Sequence, residues 1–264
     1  MFHFDSFSSF EIFPYNKPQT KNEPMTLIVG AKCIDGVVLV ADRKITQIFI
    51  NGGIDFKYQD KLFGVLEHVI LSSSGNTAMF DLFKLRLMEY VTKNDVQIDY
   101  IITKVCEITK RTNEEYNYRY DTSFDVLVGI QYTNKSSELT YINHKGEPNS
   151  SGFFYAIGSG NNYAKIFLNQ LQTTNISMKQ FAEIGYFIIK YIENTELDAS
   201  IGVGNLKPHI WYLPNKYEVD INNNVVKNGD YEENSNFEEF ENESNKRIKI
   251  HKKQLQNLLK DIIS

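Results

Sequence analysis

Between Thr26 and about residue 215 the chain alternates short apolar runs with longer amphipathic ones. Thr26–Cys33 and Gly36–Arg43 are β-branched runs joined at Asp35-Gly36, a pair that tolerates positive φ, and together they predict a hairpin. Lys61–Leu66 and His68–Ser73 predict a second hairpin-like pair. The period then changes. Asn76–Thr92 puts Met79, Leu82, Phe83, Leu87 and Tyr90 on one helical face, and Asp99 to about Glu114 does the same with Ile101, Val105 and Ile108. Strands are predicted at Ser123–Tyr132, Glu138–His144 and Phe153–Ile157, helices at Asn161–Leu171 and Ser177–Glu193, and a last strand at His209–Leu213. Strands, a helix pair, strands again and a second helix pair imply helices segregated on the two outer faces of stacked antiparallel sheets. That is an α+β, four-layer αββα sandwich. No repeat of solenoid period is present.

Outside that span the regularity stops. Residues 1–25 are rich in Phe and Ser, then Pro, Asn and Lys, without periodicity; they read as an N-terminal extension or propeptide, or as the product of a start codon set too early, with Met25 the true start. Residues 216–245 form an Asn- and Glu-rich acidic linker whose composition predicts mobility. Residues 246–264 carry Ile248, Leu255, Leu258, Leu259, Ile262 and Ile263 at helical spacing among lysines, predicting an amphipathic C-terminal helix. Its apolar face needs a partner, either its own domain or a neighbouring subunit.

Composition narrows the function. At 264 residues and 42% apolar content the chain can bury a substantial core. The net charge of −5 argues against a nucleic-acid partner, which would need clustered excess cation. No apolar stretch is long enough to predict a membrane span, and the first 24 residues lack the basic start and apolar run of a secretory signal. Cys33 and Cys106 form no CxxC spacing, and Cys33 lies inside a strand pattern, where a buried thiol is expected. A reduced, cytoplasmic protein is the expectation. His3, His68, His144, His209 and His251 are scattered without ligand spacing, so neither metal nor cofactor is expected.

Several separated positions carry chemistry in a particular order. Thr26 is followed by Val29-Gly30; Asp42 ends the second strand before Arg43, Lys44 and Thr46; Lys61 precedes Leu62-Phe63. Ser73-Ser74-Gly75 reads as a small-residue turn opening the first long helix, Gly158-Ser159-Gly160 precedes the third, and Asp198 and Gly202 precede the last strand. This ordered set resembles the β-type proteasome subunits, a family of N-terminal-nucleophile hydrolases, over roughly residues 26–215. Taken singly the features are ordinary. An Asp-Arg-Lys at a strand end is commonly a solvated edge, Lys61 an edge-protecting lysine, Gly75 a turn, Asp198 a cap, and the Gly-Ser-Gly turn could equally cradle a phosphate.

The resemblance implies a threonine endopeptidase working within an oligomeric ring on unfolded polypeptides. Thr26 would be the nucleophile. A hydroxyl must lose its proton to attack, and the α-amine of a first-residue threonine, with a reference pKa of about 7.7–8.0, can accept it. Lys61 would place positive charge beside the hydroxyl, and Asp42 would hold that ammonium. The Gly75 N–H would face the oxyanion, a contact whose loss typically costs about 100- to 1000-fold in rate. Ser159 and Asp198 would tether the amine and relay protons. Ile45, Thr46, Ser73 and Thr77 would line the substrate site, with acidic Asp81 favouring a basic substrate side chain.

Two positions depart from the family pattern. Met25 stands where self-cleaving members have Gly, so the amine is exposed only if residues up to Met25 are removed, as initiator-Met removal would do. Ile201 stands where a serine is usual, with Ser200 one position away. These leave two other readings: a non-catalytic, structural or α-like ring subunit, and another amidase of the same nucleophile class.

Overall fold

The computed structural model describes residues 26–48, 54–94, 96–120, 123–132, 137–171 and 175–215, with positions 242 and 246 besides. The predicted extension, linker and C-terminal helix lie outside the described residues.

Strand parity explains why so much of the chain is apolar. In β1 (Ile28–Cys33) and β2 (Gly36–Ala41), Val29, Ala31, Val38 and Val40 point one way and Ile28, Val37, Leu39 and Ala41 the other. Both directions are buried, so a continuous apolar run replaces in–out alternation. The first sheet has the order β10-β1-β2-β11, with β10 at Phe154–Ile157 and β11 at His209–Pro214. The second has the order β5-β6-β7-β8-β9, from Leu62–Leu66, Val69–Gly75, Phe124–Ile130, Glu138–Ile142 and Pro148–Asn149. All pairings are antiparallel.

Three apolar layers result. Ile28, Leu39, Ile70, Leu127 and Leu139 fill the space between the sheets. Helices α1 (Thr77–Lys93) and α2 (Ile98–Tyr120) cover the five-stranded sheet through Met79, Phe83, Leu87, Ile101 and Val105. Helices α3 (Asn161–Leu168) and α4 (Met178–Thr195) cover the four-stranded sheet through Ala164, Phe181, Ala182, Ile188 and Ile189. The fold is therefore the αββα sandwich that the order of elements implies.

Local chemistry sets the element ends. Asn76 caps α1, its side chain accepting from the amides of Ala78 and Met79. Ser177 and Gln180 form a reciprocal capping box at the start of α4, a device worth about 1 kcal/mol. Ser73-Ser74-Gly75 is not a turn, contrary to the sequence expectation. These residues finish β6 in register with Val126, Asp125 and Phe124, and Asn76 alone makes the transition to helix. A small two-stranded sheet, β3 (Lys44–Ile48) with β4 (Ile54–Tyr58), also escapes the sequence pattern because the described residues of β4 are exposed and no core face organises them.

Gly185 lets α4 approach the sheet. A Cβ there would lie 2.8 Å from Val40 Cγ2 and 3.0 Å from Val29 Cγ2. Gly185→Val should therefore overpack this layer and lower stability by about 1–3 kcal/mol, measured as a fall in the denaturation midpoint at unchanged slope.

Candidate active site

The two sheets meet the predicted site residues at one end. Thr26 and Leu27 lead into β1, and Asp42 leaves β2 opposite them, since Ile28 pairs with Ala41. Leu27 and Asp42 exchange contacts: the Asp42 N–H donates to the Leu27 carbonyl at 3.0 Å, and the Leu27 N–H donates to Asp42 Oδ1 at 2.8 Å. Lys61 comes from the other sheet, immediately before β5. The turn after β10 adjoins Thr26 because Ile157 pairs with Ile28. The loop before β11 arrives beside Asp42 because His209 pairs with Ala41.

The structure brings Thr26, Asp42 and Lys61 together. The Lys61 ammonium donates to Thr26 Oγ1, to Asp42 Oδ1 at 2.7 Å and to the Lys44 carbonyl at 2.6 Å, using all three of its N–H groups. Thr26 Oγ1 lies 3.2 Å from Asp42 Oδ1. Asp42 is fully buried and Lys61 is 8% exposed. The Lys44 N–H at 3.1 Å and the Gly202 N–H at 3.5 Å approach the second Asp42 oxygen. Burial is the largest influence on both partners. It pushes the Lys61 ammonium below the usual lysine range, with Asp42 pulling it back, and it pushes Asp42 upward against the opposing effects of Lys61 and the Leu27 and Gly202 amides. Burial thus acts against the charged form of each partner, and each partner's charge acts against that shift.

The Gly-Ser-Gly turn is committed to Thr26. Gly158 has φ +98°, and a Cβ on it would lie 2.1 Å from the Thr26 carbonyl oxygen, so only glycine fits. The Gly160 N–H (3.4 Å) and the Ser159 hydroxyl (3.5 Å) both point at that carbonyl. With these donors turned to the backbone, the phosphate-cradle alternative loses its geometry. Ser159 thus touches the Thr26 carbonyl oxygen.

Asp198 reaches the cluster through a residue the sequence pattern placed in doubt. Ser200 donates its hydroxyl to Asp198 Oδ1, and its oxygen lies 3.4 Å from Ser159 Oγ. Ile201, where a serine is usual, is instead 2% exposed in the α3–α4 core, against the backbone at Gly160. The hydroxyl that links Asp198 to Ser159 is therefore displaced by one position.

The remaining candidates lie around this end. Gly75 terminates β6 at φ +135°, where a Cβ would meet Phe124 at 2.4 Å. Ser73 is buried on the same strand, Ile45 and Thr46 lie on β3 beside Lys44, and Thr77 is exposed at the first turn of α1. Thr46 Oγ1 is buried without a protein hydrogen-bond partner. Asp81 is exposed and pairs with Lys84 at 3.5 Å on its own helix, which weakens its claim as a selector of basic side chains.

Two supports for Lys61 went unread in the sequence. Ser72 donates its hydroxyl to the Lys61 carbonyl at 2.8 Å, and the Leu62 N–H donates to His209 Nδ1 at 3.3 Å. No motif marks either, because each acts through the backbone. Cys33 is buried, its thiol pushed up to about 12 first by burial and then by Asp35, as befits a core residue rather than a nucleophile. Among the described residues, no cluster of His, Cys, Asp and Glu could hold a metal, and no helix is long and apolar enough to cross a membrane.

Comparison with known proteins agrees with this architecture. The sequence pattern of the proteasome subunit family matches residues 25–201. The chain belongs to that family. It is 25% identical over 175 residues to the proteasome subunit alpha of Methanococcus vannielii, covering 62% of this chain and 63% of that one. It is 24% identical over 186 residues to the proteasome subunit alpha of Thermococcus sibiricus, covering 66% of each. The chain thus spans a little under two thirds of the length of the curated relatives it matches. Among solved structures, Anbu (ancestral beta-subunit) from Yersinia bercovieri superposes with a TM-score of 0.57 over 72% of this chain and 82% of that one, at 15% identity, a likeness of fold.

The buried pair gives a stability prediction. Asp42→Ala leaves Lys61 without its counter-charge and should cost about 3–5 kcal/mol, whereas Asp42→Ala combined with Lys61→Met should recover most of the loss. Equilibrium urea unfolding of the single and double variants measures both.

Proposed function

We propose that this chain is a catalytic subunit of a proteasome-like ring that hydrolyses peptide bonds of unfolded polypeptides, with Thr26 as the nucleophile. The observation that carries the reading is the contact of Lys61 Nζ with both Thr26 Oγ1 and Asp42 Oδ1 in a buried setting. An isolated lysine and aspartate have no reason to be buried around a threonine hydroxyl unless the fold gains something other than stability from them, since such pairs are weak stabilisers.

Thr26 Oγ would attack the substrate carbonyl carbon while its proton passes to the free α-amine, with the Lys61 ammonium supplying positive charge beside the hydroxyl. The Gly75 N–H is the proposed donor to the resulting oxyanion. Collapse of the tetrahedral species breaks the C–N bond, the leaving amine takes the proton, and an ester on Thr26 remains. Water then hydrolyses that ester, restoring the hydroxyl. Ser159, Ser200 and Asp198 would hold the Thr26 backbone and buffer the proton on the amine.

A second reading has its own support. The curated relatives are named proteasome subunit alpha, and in this sequence Thr26 follows Met25 and 24 further residues. While Met25 remains attached, the amine is an amide and cannot act as base, and the chain would serve as a non-catalytic ring subunit. The relatives' names favour this second reading, and the side-chain cluster favours the first.

Mapping the N-terminus of the purified particle and assaying fluorogenic peptides separates them. The catalytic reading expects a chain beginning at Thr26 and hydrolysis that Thr26→Ala abolishes without changing the melting temperature. An intact chain beginning at Met1 with no hydrolysis establishes the second reading.

A further inference from the structure

Glu193, in the last turn of α4, reaches across to the loop that leads into β11. Its Oε1 accepts the backbone N–H of Val203 at 2.8 Å and of Gly204 at 3.0 Å. Its Oε2 is held by the Lys190 ammonium at 2.7 Å, one turn earlier on the helix. The two side chains are only 14% and 22% exposed, so the ion pair is shielded from the screening that makes surface pairs weak. Two amides on one carboxylate oxygen are charge-assisted bonds, roughly twice as strong as neutral ones. A loop without regular structure must find partners for its amides elsewhere, and this loop finds them on a helix.

What the clamp holds lies within two residues of the site. Gly202 precedes the clamped amides. Its carbonyl accepts the N–H of Arg43 and of Lys44, each at 3.0 Å, and its own N–H is directed at Asp42 Oδ2 at 3.5 Å. A Cβ at Gly202 would sit 2.6 Å from Glu193 Oε1, so the carboxylate rests directly against this backbone. Lys44 in turn offers its carbonyl to Lys61 Nζ and its N–H to Asp42. On the other side of Gly202, Ile201 plugs the α3–α4 core and Ser200 carries the link to Asp198.

We infer that Glu193 is a positioning residue for the Asp42–Lys61 pair. The Lys190–Glu193 clamp fixes the loop at residues 200–204 so that Gly202 holds Asp42 on one side and the start of β3 on the other. The importance of this for turnover rests on the proposed catalytic reading; the clamp itself does not.

The test compares Glu193→Ala and Glu193→Gln with the unaltered protein, each as purified in its particle, by residue-resolved amide hydrogen exchange and by the pH profile of peptide hydrolysis. Glutamine keeps the reach and one acceptor oxygen, so it should retain part of the protection, and it remains informative if the alanine variant does not fold. In Glu193→Ala, exchange at Val203 and Gly204 should rise by about tenfold or more, and the increase should spread to Gly202, Arg43 and Lys44. In the same variant the acid limb of the activity profile should move to higher pH, because Asp42 loses an amide that lowers its pKa, with KM unchanged. An increase confined to Val203 and Gly204, with the acid limb in place, would overturn the inference and leave Glu193 a local loop anchor. If the unaltered particle hydrolyses no peptide, the catalytic reading fails, and exchange at Gly202, Arg43 and Lys44 still decides the clamp.

Discussion

A carboxylate with no solvent exposure faces an ammonium that is nearly as deeply buried, and neither could stay charged there alone. Each ion removed from water costs several kcal/mol, and the return comes only from close contact plus satisfied hydrogen bonds. Five segments supply those bonds: the lead into β1, the end of β2, the start of β3, the residue before β5 and the loop before β11. The pair therefore ties the two sheets together at one end of the sandwich. Thr26 Oγ1 completes the arrangement by accepting the third Lys61 N–H.

The sandwich makes that convergence a consequence of strand register. Antiparallel pairing puts Leu27 across from Asp42 and Ile157 next to Ile28, so Thr26, Asp42 and the Gly158–Gly160 turn arrive together without any long-range design beyond the hydrogen-bond ladders. Lys61 arrives from the second sheet because β5 packs its Leu62 into the inter-sheet core. Position then matters more than residue type in the surrounding loop. The hydroxyl beside Asp198 comes from Ser200, and the position after it has been given to the core as Ile201.

Much of this was legible in the sequence, for a physical reason. Strands buried on both faces and helices with a single apolar stripe leave strong periodic signals, so twelve of the strands and helices could be placed between Thr26 and Leu213. The acidic, basic and hydroxyl residues of the candidate site stood out only through their order along the chain, which resembles the family's, because singly Asp42 and Lys61 read as ordinary strand-end charges. What could not be read acts through the backbone or lies without a core. Ser72 and His209 support Lys61 through its own carbonyl and the next amide, Glu193 reaches the loop before β11 only through its amides, and the described residues of β4 are exposed. Ser73–Gly75 misled for a related reason: small residues suggest a turn, yet here they continue β6 in register with β7.

The proposed role of the cluster requires that burial displace the ionisation of Lys61 beside the Thr26 hydroxyl, with Asp42 opposing the shift, and the titration of Lys61 measures this directly. A 13C-labelled lysine sample of the full chain, titrated by NMR with Lys61→Met to assign the signal, should show one ε-carbon titrating well below the others. A Lys61 signal that titrates together with the surface lysines would contradict the account.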